Sequence, residues 1–200
     1  MQTISFKISG TSPLIQANPQ TVNPFNKYTK ELSTLTSKRK KTEDDLMEIS
    51  HIKFIASLYY DKDKGYLIPA SHFWKSIVEA SRENKLGKKF ERSFIINCDC
   101  QIDFPDKECS PEELYSKEEY VDVREVGIKG AKITTTRVIF QKWSTIVNCI
   151  YDETQLDEHD IINAMGIAGM RYGVGTYRKG MYGRFDAEKI KKTKKQYELA

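Results

Sequence analysis

The chain has 200 residues, 39% of them hydrophobic and 30% charged, with a formal net charge of +4. That length and balance fit one domain with a real hydrophobic core and exclude wholesale disorder. No apolar run approaches the roughly 20 residues needed to cross a bilayer, and the start of the chain alternates like a strand rather than a leader peptide, so a cytoplasmic protein with no membrane contact is expected.

In chain order, Ile4, Phe6 and Ile8 share one face of a strand over Thr3–Ser9. Gly10-Thr11-Ser12-Pro13 ends it, and Asn18-Pro19 and Asn23-Pro24 mark a long polar surface loop. The basic run Ser37-Lys38-Arg39-Lys40-Lys41 precedes Thr42, a helix cap with acids in the following turn. Leu46, Ile49, Ile52, Ile55 and Tyr59 then recur at helical spacing. Gly65–Ser71 leads into a second helix whose buried stripe is Phe73, Trp74, Ile77 and Val78, with Pro69 suited to its start. Leu86-Gly87 ends that helix, and Lys85, Lys88, Lys89 and Arg92 cluster just beyond.

Phe94–Ile102 predicts one strand with Phe94, Ile96, Cys98, Cys100 and Ile102 on a common face. The stretch Asp103–Asp122 carries eight acids against Lys107 and Lys117. Strands are predicted over Tyr120–Val126, Ala131–Phe140 and Thr145–Tyr151, and Asp157 caps a helix reaching about Met170. A last strand, Arg184–Ile190, runs into the basic segment Lys191–Lys195. Insertions aside, the order is strand, helix, strand, strand, helix, strand. This is the α+β, ferredoxin-like (βαββαβ) arrangement, an antiparallel sheet with helices on one face and large insertions. The expected organisation is a single domain over 1–200, with insertions at about 18–60 and 103–140 and a basic C-terminal tail at 189–200.

Six of the eleven glycines fall between Gly166 and Gly183, and no acid occurs between Asp160 and Asp186. Arg171, Arg178, Lys179 and Arg184 alternate there with Tyr172, Tyr177, Tyr182 and Phe185. Glycines such as Gly173, Gly175 and Gly180 allow close backbone approach, and exposed amides in such turns receive phosphate oxygens. Arginine adds forked, charge-assisted hydrogen bonds, and aromatic faces stack on unpaired bases. The segment therefore points to single-stranded nucleic acid, with Lys38, Arg39, Lys40, Lys41, Lys88 and Lys89 as further candidate contacts. A loop that binds a protein, or one that serves only packing, uses the same residue types. Gly173-Val174-Gly175 does not open a helix after a strand, so it is not a dinucleotide fingerprint.

Ile68-Pro69-Ala70-Ser71 before an amphipathic helix, and a C-terminal helix running through a Gly-rich basic loop into Gly183-Arg184-Phe185, resemble the RAMP superfamily. Its members include the CRISPR backbone subunits. The resemblance implies a modified ferredoxin-like fold, assembly into oligomers or filaments, and a guide-RNA contact through Gly173–Arg184. It extends to small phage-encoded proteins in Ser12-Pro13-Leu14-Ile15 and Leu35–Lys41. A phage chain of this kind, in the host cytoplasm, would hold a single strand or capture a host defence protein complex.

Cys98, Cys100, Cys109 and Cys149 include no second closely spaced pair of the zinc-site type, so neither metal nor cofactor is expected. The histidines are His51, His72 and His159, with no HxH or HxxxH among them. His72, beside Ile68–Ser71, is the candidate general acid–base of a metal-independent ribonuclease; the expectation is nonetheless a non-catalytic protein.

Overall fold

The computed structural model describes residues 1–128 and 131–191. Its frame is a four-stranded antiparallel sheet built from β1 (Gln2–Gly10), β5 (Phe94–Ile96), β9 (Ser144–Tyr151) and β10 (Phe185–Lys189), in the order β10-β1-β9-β5. Alternation sends Ile4, Phe6 and Ile8 of β1 to one face, where they join Val147 and Cys149 of β9 and Phe94 of β5. The register places Phe6 opposite Val147 and Ile8 opposite both Thr145 and Ala187.

Two helices cover that face, α3 (Ala70–Ser81) and α6 (Glu158–Ile167). Phe73, Ile77 and Val78 are buried on α3, and Ile161, Ala164 and Met165 on α6. Each large apolar side chain buried this way contributes about 1.5–3 kcal/mol. Trp74 adds a polar tie by donating its Nε1–H to the carbonyl of Phe94, 3.0 Å away. The sequence β1, α3, β5, β9, α6, β10 is thus the ferredoxin-like order expected from the periodicities. Asp157 caps α6 through a reciprocal box with Asp160, and Thr42 does the same with Asp45 for α2 (Glu43–Ser57).

The chain between β1 and α3 forms β2 (Leu14–Ile15), α1 (Lys27–Thr36), α2, β3 (Tyr60–Asp61) and β4 (Gly65–Ile68). Between β5 and β9 come β6 (Cys100–Gln101), α5 (Pro111–Tyr115), β7 (Val121–Ile128) and β8 (Ala131–Phe140). These two excursions build shared sheets. One has the order β2-β8-β7 and the other β3-β4-β6. α2 packs over β8, where Ser57 Oγ accepts the amide of Val138 at 2.9 Å and Lys53 Nζ donates to the carbonyl of Thr134 at 2.7 Å. Buried Gln16 ties the first excursion together by donating to the Leu67 carbonyl and accepting the Tyr59 amide. Tyr66, Phe104, Tyr120 and Phe140 form an aromatic cluster between them.

Three stretches differ from the sequence expectation, the first being the second helix, where α3 ends at Ser81 and Leu86-Gly87 opens a further helix over Gly87–Ser93 instead of closing one. Phe94–Ile102 is not one strand, because β5 stops at Ile96 and β6 joins the other sheet through β4. Asn97 and Asp99 disfavour a strand, and Asp99 Oδ1 instead accepts the free amide of Ala70 at the head of α3, 2.8 Å away. Cys98 is accordingly exposed while Cys100 is buried, so they share no face. In the expected polar loop, Lys27–Thr36 is helical, capped by Asn26 and burying none of its residues. The acidic stretch is partly structural, since Asp106 takes Lys117 and the Tyr120 hydroxyl and Glu113 closes the box that caps α5. The expected basic tail lies outside the described residues from 192 onward. No helix among the described residues is long and apolar enough to cross a membrane.

Replacing Asp99 with alanine leaves the Ala70 amide without its acceptor. The expected cost is about 1 kcal/mol, typical of a lost helix cap, read as a lower urea midpoint with an unchanged m value.

Candidate nucleic-acid interface

α6 continues through a wide π-type turn, Ala168–Tyr172, into the Gly-rich loop, which returns to the sheet as β10. Backbone proximity shapes this loop. A Cβ on Gly183 would stand 1.9 Å from the Val174 carbonyl oxygen, and its φ of +70° disfavours any side chain. A Cβ on Gly175 would stand 2.5 Å from the Ile15 carbonyl oxygen. In that close fit the amides of Val174, Thr176 and Gly183 donate to the carbonyls of Gly183, Ile15 and Pro13, at 2.8–2.9 Å. These three amides are therefore engaged within the fold and do not form the phosphate cradle that the glycine content suggests.

Each basic residue of the segment has a definite place. Arg171 pairs with Glu83, which also accepts the Tyr172 hydroxyl at 2.9 Å. Arg178 lies 3.4 Å from Glu79 on the exposed side of α3. Arg184 donates one Nη2–H to the Arg178 carbonyl at 3.2 Å, whereas its Nε and Nη1 are buried with no partner among the described residues. Burial, and then the charge of Arg178, lower the Arg184 pKa. Lys179 and Gly180 are exposed at the loop tip.

Two of the tyrosines meet arginines from the hairpin. Arg124 of β7 lies against both Tyr177 and Tyr182, 4.5 and 4.8 Å from the ring centroids, and Arg137 of β8 lies 5.1 Å from that of Tyr177. Such contacts are worth about 0.5–2 kcal/mol each, more when dry. Arg124 also pairs with Asp122, and its Nη2 donates to the Tyr182 hydroxyl at 3.3 Å. Arg137 has no acidic partner among the described residues. Arg124 and Arg137 were missed in the sequence; the available signal is the hairpin register, where Arg137 faces Asp122 and Arg124 follows two residues on.

Across the loop from the hairpin, a cavity of about 200 Å³ is lined by His72, Lys75, Val174, Gly175 and Arg178. Lys75 was also missed, although it follows His72 by one helical turn. His72 is held below the usual histidine range, chiefly by burial and then by Lys75 and Arg178, with Asp99 opposing. Its ring meets the edge of Tyr59, with centroids 5.3 Å apart. Lys75 and Arg178 thus share a cavity wall, Arg184 reaches the Arg178 carbonyl, and Arg137 lies against Tyr177, the residue before Arg178. The other expected contacts stand apart. Lys38 pairs with Asp45, Lys41 donates to the Lys38 carbonyl, and Arg39 and Lys40 are exposed between α1 and α2. Lys88 and Lys89 are exposed on the short helix α4 (Gly87–Ser93). Among the described residues, no hydrogen bond or ion pair joins either group to the Gly-rich loop. No cluster of three or more His, Cys, Asp or Glu side chains among the described residues is arranged to hold a metal ion.

No protein-family model matches the chain, and no curated protein matches it. Among solved structures, the chain is similar to one in the cryo-EM structure of the Type III-B Cmr-beta bound to cognate target RNA. The similarity has a TM-score of 0.48 and 15% identity, over 95% of this chain and 61% of that one. This chain therefore spans less than two thirds of that chain's length.

Two outcomes follow from the site itself. Gly183→Ala forces a left-handed alanine against the Val174 carbonyl, and the expected loss is about 1–3 kcal/mol, measured by thermal unfolding. For His72 the folded pKa lies below the unfolded value of 6.5, so the unfolded chain binds more protons. Its contribution is present above about pH 6.5 and is lost as pH falls through the folded pKa. Stability measured from pH 7.5 to 5 should therefore fall, and the slope should be shallower in His72→Gln.

Proposed function

We propose that this protein is a non-catalytic nucleic-acid-binding protein that holds a single strand along the Gly-rich loop, between the β7–β8 hairpin and α3. The observation that carries the reading is the basic region of Lys75, Arg178, Arg184 and Arg137, next to a loop that contains no acid. Burial and mutual repulsion already lower the pKa of Arg184 and His72 within it, and an anion would relieve both. Phosphate contacts position a strand without reading its bases, which suits guanidinium and ammonium groups.

The non-catalytic part of the reading has its own support. His51 packs on Tyr115 with ring centroids 4.9 Å apart, and His159 is exposed on α6, so neither histidine faces the basic groups around the Gly-rich loop. The resemblance of Ile68–Ser71 and Gly173–Arg184 to RAMP backbone subunits supports a homo-oligomer that lines up along the strand. No cofactor is needed.

Anisotropy titration with hydroxyl-ended single-stranded oligonucleotides tests the reading. Affinity should fall steeply with salt. Arg178→Ala combined with Lys179→Ala should lose at least about tenfold at fixed salt, roughly 1.4 kcal/mol, and Arg137→Gln should weaken binding in the same direction. Unchanged affinity in both variants would show that the strand lies elsewhere.

A further inference from the structure

We propose that the cavity bounded by His72, Lys75, Val174, Gly175 and Arg178 takes the terminal phosphomonoester of a bound strand, an inference that rests on the nucleic-acid reading above. At about 200 Å³ it is smaller than the roughly 300–1,000 Å³ of ordinary small-molecule pockets. It suits a phosphate group better than a whole nucleotide.

The cavity's polar walls are almost entirely cationic. His72 and Lys75 come from α3 and Arg178 from the Gly-rich loop, so donors converge from two elements. Two acids stand near them. Asp99 faces His72, but its Oδ1 is already accepting the Ala70 amide. Glu79 meets Arg178 only at 3.4 Å, with nearly half of its side chain exposed to solvent. Arg184 stands behind Arg178 and adds to the positive field.

This count of donors selects among phosphates. A phosphodiester inside a strand carries one charge and continues in both directions. A phosphomonoester carries about −1.5 to −2 and offers three acceptor oxygens, one for each basic group in the cavity. Arginine and lysine supply the permanent charge. His72, whose proton affinity is lowered in the free protein, takes up a proton more readily when a dianion stands beside it.

The test compares single strands of one sequence, labelled internally, with a 5′-phosphate, a 3′-phosphate or hydroxyls at both ends. One of the two phosphorylated strands should bind at least about tenfold more tightly than the hydroxyl-ended strand. That advantage should shrink below about threefold in Lys75→Ala, a change on an exposed position, and in Arg178→Gln. Equal affinity for all three strands, or an advantage that survives in both variants, would overturn the terminal-phosphate site while leaving the interface standing. Failure of the protein to bind any of the strands at low salt would overturn the nucleic-acid reading itself.

Discussion

The backbone of the Gly-rich loop lies directly on that of Pro13–Ile15, and much of the molecule is arranged around this contact. Thr176 and Gly183 donate to Ile15 and Pro13, while Ser12 receives the Arg184 amide on its hydroxyl and the Trp143 indole N–H on its carbonyl. Gly10 in turn donates to the Trp143 carbonyl. Three distant parts of the chain meet there: the exit from the first strand, the turn before β9, and the return into β10. Only residues without a side chain permit backbones to approach so closely. The glycines thus hold the loop in place.

The hairpin depends on the same arrangement. β8 is fixed from below by β2 and α2, and β7 carries Arg124 into the space between Tyr177 and Tyr182. The guanidinium ties a distant insertion to the loop. On the opposite side, α3 brings Lys75 and His72 to the loop with no more adjustment than one helical turn. The basic region is therefore assembled from three elements, and neither the hairpin nor the helix presents it alone.

Much of the frame was legible because local rules govern it. Ile4, Phe6 and Ile8 alternate, Phe73, Ile77 and Val78 repeat at helical spacing, and Thr42 and Asp157 carry capping chemistry that works within four residues. The break at Asn97–Asp99 was hidden because Asp99 serves the head of α3, a partner 29 residues away. α1 was hidden for the opposite reason: it buries nothing, so it leaves no apolar stripe to read. The Gly-rich loop stood out by composition, but its tyrosines invited a stacking interpretation that ignored Arg124 and Arg137. Their placement depends on how the hairpin docks, which no short window of sequence contains. Lys75 was overlooked because an exposed lysine on a helix looks the same whether or not a loop faces it.

The pairing of β1 has a consequence for how the protein comes together. This strand, second in the sheet, pairs with β9 at Ser9 and Ser144 and with β10 at Gly10 and Phe185. Both partners lie far along the chain, so loop closure must precede the contacts that reward it, a topology associated with slow folding. During synthesis β1 waits unpaired until most of the chain has emerged, and the loop leading into β10 cannot settle before then. The basic cleft is consequently among the last parts to form.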